Sequence, residues 1–274
     1  MKRLWLLFRA FIILSFGWLG WIGTRINQEA PPIADQVVTT AGVTVVGSGE
    51  IQAGQNVWQS LGGMQVGSIW GHGSYLAPDW SADWLHREAL AMLDITALAN
   101  GGSSFDKLDK PTQAALAVQL PLDLRANTWD ADSGVIRIAP KRAQAIAQVA
   151  QHYADIFQAR DSKESRTLRE QYAFSKSVTI SDTDLHALTA FIFWTSWSAV
   201  TERPGDTISY TSNWPYDPLV GNTPPPSLLI WTLLSVILLI GATGALVWFY
   251  AQQYDIWRDD LEPEGGVASA NLLA

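Results

Sequence analysis

Cysteine is missing altogether from the 274 residues. Its absence excludes a disulfide framework, a thiolate zinc site, a cysteine nucleophile and covalent attachment of a c-type haem. Charge is also scarce, with Asp, Glu, Lys and Arg making up 16% of the chain against roughly 25% in soluble globular proteins. The balance is acidic, at −8, and phosphate binding needs clustered Lys and Arg, so nucleic acid is not a partner. Histidine occurs at positions 72, 86, 152 and 186 only, with no pair at ligand spacing. There is no Gly-x-Ser-x-Gly elbow, phosphate loop or His-Glu-x-x-His motif. No internal repeat or low-complexity run is present. Apolar residues are plentiful at 48%, which excludes a disordered chain. Tryptophan is abundant too: of 14 residues, 8 fall in one block between two long apolar runs.

Those runs set the topology. Leu4 to Gly23 is apolar or small except at Arg9, with Lys2, Arg3 and Arg9 at its start and Trp18 and Trp21 near its far end. Positive charge marks the cytoplasmic side and Trp the membrane interface, so the segment reads as a span with its N-terminus inside. A cleaved signal peptide is the alternative, but Thr24 to Glu29 offers no small-residue cleavage pattern. From Pro218 to Tyr254 no residue is formally charged, and Leu228 to Ala251 is almost unbroken apolar sequence flanked by Trp231 and Trp248. As a helix it reaches ~36 Å, enough to cross a bilayer. The expected organisation is a transmembrane anchor over 1–24, an exported domain over 25–227, a second span over 228–251 and a cytoplasmic tail over 252–274. The chain is thus expected in the inner membrane, with its main domain periplasmic or extracellular.

The central block reads as mainly helical. Gly42 to Gly47 predicts a short strand, and Thr128 to Ile138 a hairpin around Asp132-Ser133-Gly134. Ser81 is the expected cap of a helix carrying Trp84, Leu85, Ala89, Met92 and Leu93 at helical spacing, stopped by Gly101-Gly102. Pro140 opens another, with Ala143, Ile146, Ala147, Ala150, Tyr153 and Ile156 on one side. Ser181 or Asp182 opens a third, running through Phe191 and Trp194 to Trp197.

Little in this block suggests chemistry. His86 and His152 lie within predicted helices, where packed or surface histidines outnumber ligands. Asp79, Asp83 and Glu88 invite comparison with an acid pair, but acids in the first turns of a helix also complement its dipole. The dipole reading is preferred.

Two stretches remain, Val57 to Glu88 and Phe193 to Asn222, in which Gly and Trp alternate densely. Main chain passing closely beneath bulky rings is the physical reading; an ordinary packed core is the alternative. In both stretches the chain strongly resembles the N-terminal part of the quinol-dependent nitric oxide reductases, from about residue 40 to 250. The resemblance implies an exported domain of cytochrome c fold joined to a membrane core that holds haem b, a second haem and non-haem iron. In cytochrome-dependent relatives Trp-Gln precedes the Cys-x-x-Cys-His haem motif, followed by Gly-Glu-Gly-Ala-Tyr-x-Ala-Pro-Glu. Laid on this chain without a gap, Trp58-Gln59 matches the first pair. Gly63, Val66 and Gly67 then take the Cys, Cys and His positions, and Gly71 to Asp79 matches the last segment. The fold expected is therefore mainly α, a cytochrome c-like exported domain without haem, with a small β-hairpin, between two transmembrane helices.

The same resemblance implies a role in denitrification, the reduction of 2 NO to N2O. The family's complete chain continues through many more membrane helices, whose histidines hold haem and iron; neither span here contains a His. The chain is therefore expected to be a non-catalytic part, inactive alone, that caps a multi-span haem-containing core and meets quinol only through it. Calcium is implied as well, shared with that core and taking the Gly73 carbonyl and the Tyr75 side chain as ligands. Gly241 and Ala245, four apart in the second run, form a small face for a partner helix. A two-span extracytoplasmic sensor or ligand-binding module is the rival function, followed by a purely structural subunit. An enzyme in its own right comes last.

Overall fold

The computed structural model describes residues 2–71, 78–158, 163–172, 174 and 179–254. They fall into two units, one ending at Pro224 and one beginning at Pro225.

The first unit starts with α1 (Lys2–Glu29), one unbroken helix. It passes the expected end at residue 24, because Thr24 bonds the Gly20 carbonyl and Arg25 pairs with Glu29 one turn on. Phe11, Leu14, Trp18 and Trp21 are exposed along it. Beyond Glu29 the chain enters the domain, where the Trp194 indole N–H donates to the Pro32 carbonyl at 2.8 Å and Arg203 pairs with Glu29 at 2.7 Å.

There are four short strands, β1 (Gln36–Thr39), β2 (Thr44–Val46), β3 (Trp129–Asp130) and β4 (Val135–Ile138), and all but β3 carry buried β-branched residues. The expected hairpin is β3–β4, and the expected strand after Gly42 is β2. The sheet is nevertheless larger than a hairpin. β1 pairs antiparallel with β2 and parallel with β4, giving the mixed order β2-β1-β4-β3. Val37, Val46, Ile136 and Ile138 turn inward from it.

The helices are α2 (Glu50–Ser60), α3 (Trp80–Gly101), α4 (Lys110–Arg125), α5 (Pro140–Phe157), α6 (Lys163–Gln171) and α7 (Asp182–Val200). α3 begins at Trp80, capped by Asp79 rather than Ser81: the Asp79 carboxylate accepts from Ala82 N–H at 2.9 Å. A carboxylate there satisfies an orphan donor and meets the positive end of the dipole. Ser81 lies inside the first turn and is buried. Gly102, left-handed at φ 68, closes the helix as expected. α5 opens at Pro140, and Ser181 caps α7. α7 is buried on every side from Ala187 to Val200, the mark of a central helix. Three helices, α2, α4 and α6, were not expected. In α4 buried Leu120 and Leu124 are offset by exposed Val118 and Leu122, so no clean apolar stripe announces it.

One core joins the sheet to α3, α5 and α7 through Trp80, Trp84, Tyr153, Phe157, Phe193 and Trp197. A second packs α3 on α4 through Leu85, Met92, Leu93, Leu120 and Leu124. The second unit contains α8 (Pro226–Tyr254), apolar and exposed from Pro226 to Tyr250. Among the described residues it is the one helix long and apolar enough to cross a membrane.

Candidate functional site

The two Gly- and Trp-rich stretches meet around the start of α3. A 3-10 turn at Gly63–Gln65 follows α2, and Trp58 reaches from α2 to bond the Gly67 carbonyl at 3.2 Å. Ser68 then pairs with the segment before α3: its N–H donates to Pro78 O at 3.0 Å, and Trp80 N–H donates to Ser68 O at 2.9 Å. Asp79 ties the crossing together. One of its oxygens caps α3, while the other accepts from the Ser68 hydroxyl at 2.8 Å and from Gly71 N–H. Beneath, Trp70 N–H reaches Ser81 Oγ at 3.1 Å, and the Trp70 indole donates to Thr195 O at 2.9 Å. Segments more than a hundred residues apart in sequence are thereby joined.

Main chain does pass closely under rings here. A Cβ at Gly67 would lie 2.7 Å from Trp80 Cδ1 and nearer still to the ring nitrogen. At Gly71 a Cβ would meet the Trp214 indole, 3.0 Å from Cε2. Gly67 and Gly71 have φ of 153 and 73, conformations L side chains rarely adopt. Both positions need glycine twice over.

This geometry answers whether the domain can hold a c-type haem. Gly63 and Val66 offer no thiol, and at Gly67 the Trp80 ring fills the space a histidine side chain would need. Trp80 is fully buried against Tyr153, Phe157, Tyr172 and Phe174, with ring centroids 5.5–6.2 Å away. The residues present do not fit the group. Among the described residues no three His, Asp or Glu gather as metal ligands either. Gly73 and Tyr75, with His72, lie outside the described residues. Gly241 and Ala245 lie on α8, where open space surrounds a Cβ at Gly241.

The ionisable groups serve the fold. Asp83, in the first turn of α3, pairs with Arg87 at 2.9 Å and accepts from the Tyr153 hydroxyl at 3.1 Å. Burial, and then the Asp83 charge, push the Tyr153 hydroxyl well above the usual tyrosine range. Glu88 does not belong with Asp79 and Asp83 as a dipole acid. It is buried, accepting from Arg142 at 2.6 Å and from the Trp84 indole at 3.0 Å. His86 is half exposed and bonds Asp217 at 2.9 Å, while His186 faces Glu50 at 3.1 Å. A cleft of about 320 Å³ between β2, α5 and α7 is lined by Val45, Ala147, Ala150 and Phe193, with His186 and Gln151 among its polar residues.

Sequence reasoning missed Asp79 as the hub of the crossing, the Glu88–Arg142 pair and the His86–Asp217 link. Their partners stand 11, 54 and 131 positions away in the chain. Only for Asp79 was a local signal available, as the acid immediately ahead of an apolar helical pattern.

Comparison with known proteins places this arrangement. No curated protein matches the chain. A family model for the cytochrome c-like domain of NorB, a nitric oxide reductase polypeptide, matches residues 34–216, from the approach to β1 to the loop beyond α7. The match takes in both stretches that meet at Trp80 and covers well over half of the 274 residues, and the chain belongs to the NorB family of nitric oxide reductases through this cytochrome c-like domain.

Proposed function

We propose that the chain is a non-catalytic, membrane-anchored part of a quinol-dependent nitric oxide reductase, its exported domain capping the haem-containing core that converts 2 NO to N2O. The observation that carries this reading is the Trp80 ring set against Gly67 within a domain of this family. A cytochrome c-like domain that cannot hold haem cannot relay electrons from a soluble cytochrome, which leaves quinol, delivered through the core, as the donor. Neither α1 nor α8 contains a His, so haem b and non-haem iron belong to the partner. Both helices are taken as spans, with Lys2, Arg3 and Arg9 inside, both termini cytoplasmic and residues 25–227 exported. Lipid and the multi-span core are then the partners in the membrane, with Gly241 and Ala245 as the face of α8 toward the core. Calcium held by Gly73 and Tyr75 would need further ligands from that core, since calcium takes 6–8 oxygens.

Co-expression with a multi-span, His-rich reductase core tests the proposal. The chain is expected to copurify with the core and to show no nitric oxide consumption alone. Replacing Gly241 and Ala245 with Leu should weaken copurification, and Tyr75→Phe should lower calcium content. A chain that neither copurifies nor alters the core's activity would overturn the reading in favour of a two-span sensor.

A further inference from the structure

The loop between α7 and α8 is braced from within and aromatic without. Asn213 and Asn222 are buried. The Asn213 side chain accepts from Ser209 N–H at 2.8 Å and donates to Thr223 O at 2.9 Å. The Asn222 amide donates to Pro215 O at 2.8 Å, and its oxygen accepts from Asp217 N–H at 2.8 Å. Asp217 is the single formal charge from Thr207 to Tyr254, and it points inward, held by His86 and by the N–H groups of Leu219 and Val220. The outer surface of the bend at Trp214, Pro215 and Tyr216 therefore carries no charge of its own. Trp214 has one edge fixed over Gly71, yet it is 44% exposed and Tyr216 is 46% exposed. Buried amides hold these two rings out in the open.

We propose that the Trp214-Pro215-Tyr216 bend is an interfacial anchor that rests both rings in the lipid headgroup layer. The inference depends on the reading of α8 as a membrane span. The start of α8 at Pro226 lies ten positions beyond Tyr216, a link whose fully extended reach is at most about 35 Å. Trp and Tyr, apolar bodies with one polar group, concentrate at membrane interfaces. A protein partner is the weaker fit. Two aromatic side chains bury about 300–500 Å² together, against about 800 Å² per partner in a stable interface.

The absence of native Cys makes the test clean. Tyr216→Cys, labelled with an environment-sensitive fluorophore, is placed in nanodiscs of phosphatidylethanolamine and phosphatidylglycerol, with Leu238→Cys in α8 as reference. Headgroup-level lipid nitroxides should remove most of the emission at position 216, aqueous cobalt little of it, and deep nitroxides should quench position 238. Fluorotyrosine at 216, read by fluorine NMR with the same lipids, keeps the ring and should broaden likewise. Free access of cobalt to position 216 while 238 stays in lipid would overturn the anchor and leave the span. Shielding of 216 from both quenchers would mean a protein contact and would also overturn it. Cobalt access at 238 would remove the span and the anchor together.

Discussion

The Trp80 indole stands where a side chain at Gly67 would begin, so the glycine that the resemblance lays on the haem-ligand histidine and the ring that fills its space are one unit. Gly67→Ala should cost about 3 kcal/mol, from overpacking and the positive φ together. Combined with Trp80→Leu, the two losses should fall short of their sum, because the second change frees the space the first needs. Denaturant unfolding of the four proteins of the cycle measures this, and strict additivity would contradict it.

The same contact predicts the outcome of an attempt to rebuild a cytochrome. The chain expressed with c-type haem maturation machinery should give no pyridine haemochrome signal. Gly63→Cys, Val66→Cys and Gly67→His together should still load no haem while Trp80 remains. Covalent haem on a denaturing gel from that triple variant would refute the steric account.

Glu88 and Arg142 are buried as a pair, the guanidinium also lying 5.6 Å from the Phe193 ring. Breaking such a pair from one side costs about 3–5 kcal/mol, whereas replacing both partners with apolar residues is often neutral. Glu88→Ala should therefore be severe, and Glu88→Met with Arg142→Leu much milder. Thermal unfolding of the single and double variants decides between them; equal losses would mean that packing, not charge, dominates.

Gly54 in α2 faces α7 so closely that a Cβ would lie 2.7 Å from Phe191 Cβ and closer to the Ala187 carbonyl. Gly to Ala inside a helix is ordinarily stabilising by about 1 kcal/mol. Here the sign should reverse, with Gly54→Ala losing at least 1–3 kcal/mol by overpacking, roughly. A stabilised Gly54→Ala variant would show that the two helices can part without penalty.

Tyr153 makes stability sensitive to alkali. Its folded-state pKa is raised above the unfolded value of 10.0, chiefly by burial. A group raised in this way contributes fully below the unfolded value, and that contribution is lost as pH climbs from there toward the folded one. Unfolding midpoints should hold steady up to about pH 10 and then fall, less steeply in Tyr153→Phe. Identical alkaline slopes in the two proteins would assign the loss to other groups.

What was legible in the sequence was local. The start of α5 at Pro140, the Ser181 cap and the Gly102 stop each follow from residues within one turn. The close approach of glycine to tryptophan was legible as a pattern, though not which glycine meets which ring. β1 escaped notice because its four residues are too few to show a period alone, and its parallel partner β4 lies about a hundred positions on. α4 hid because Val118 and Leu122 spoil its stripe. Ser81 drew attention as a cap because serine commonly plays that part, but the carboxylate two places earlier could also reach Ser68 and Gly71.

The clasp where α1 enters the domain, Trp194 on Pro32 and Arg203 on Glu29, gives the first unit the character of a lever. Pro31 and Pro32 stiffen a joint already bonded from two directions, so there is little slack between rod and head. Two bonds set on either side of that joint oppose bending of α1 about it, so helix and head are expected to turn as one body.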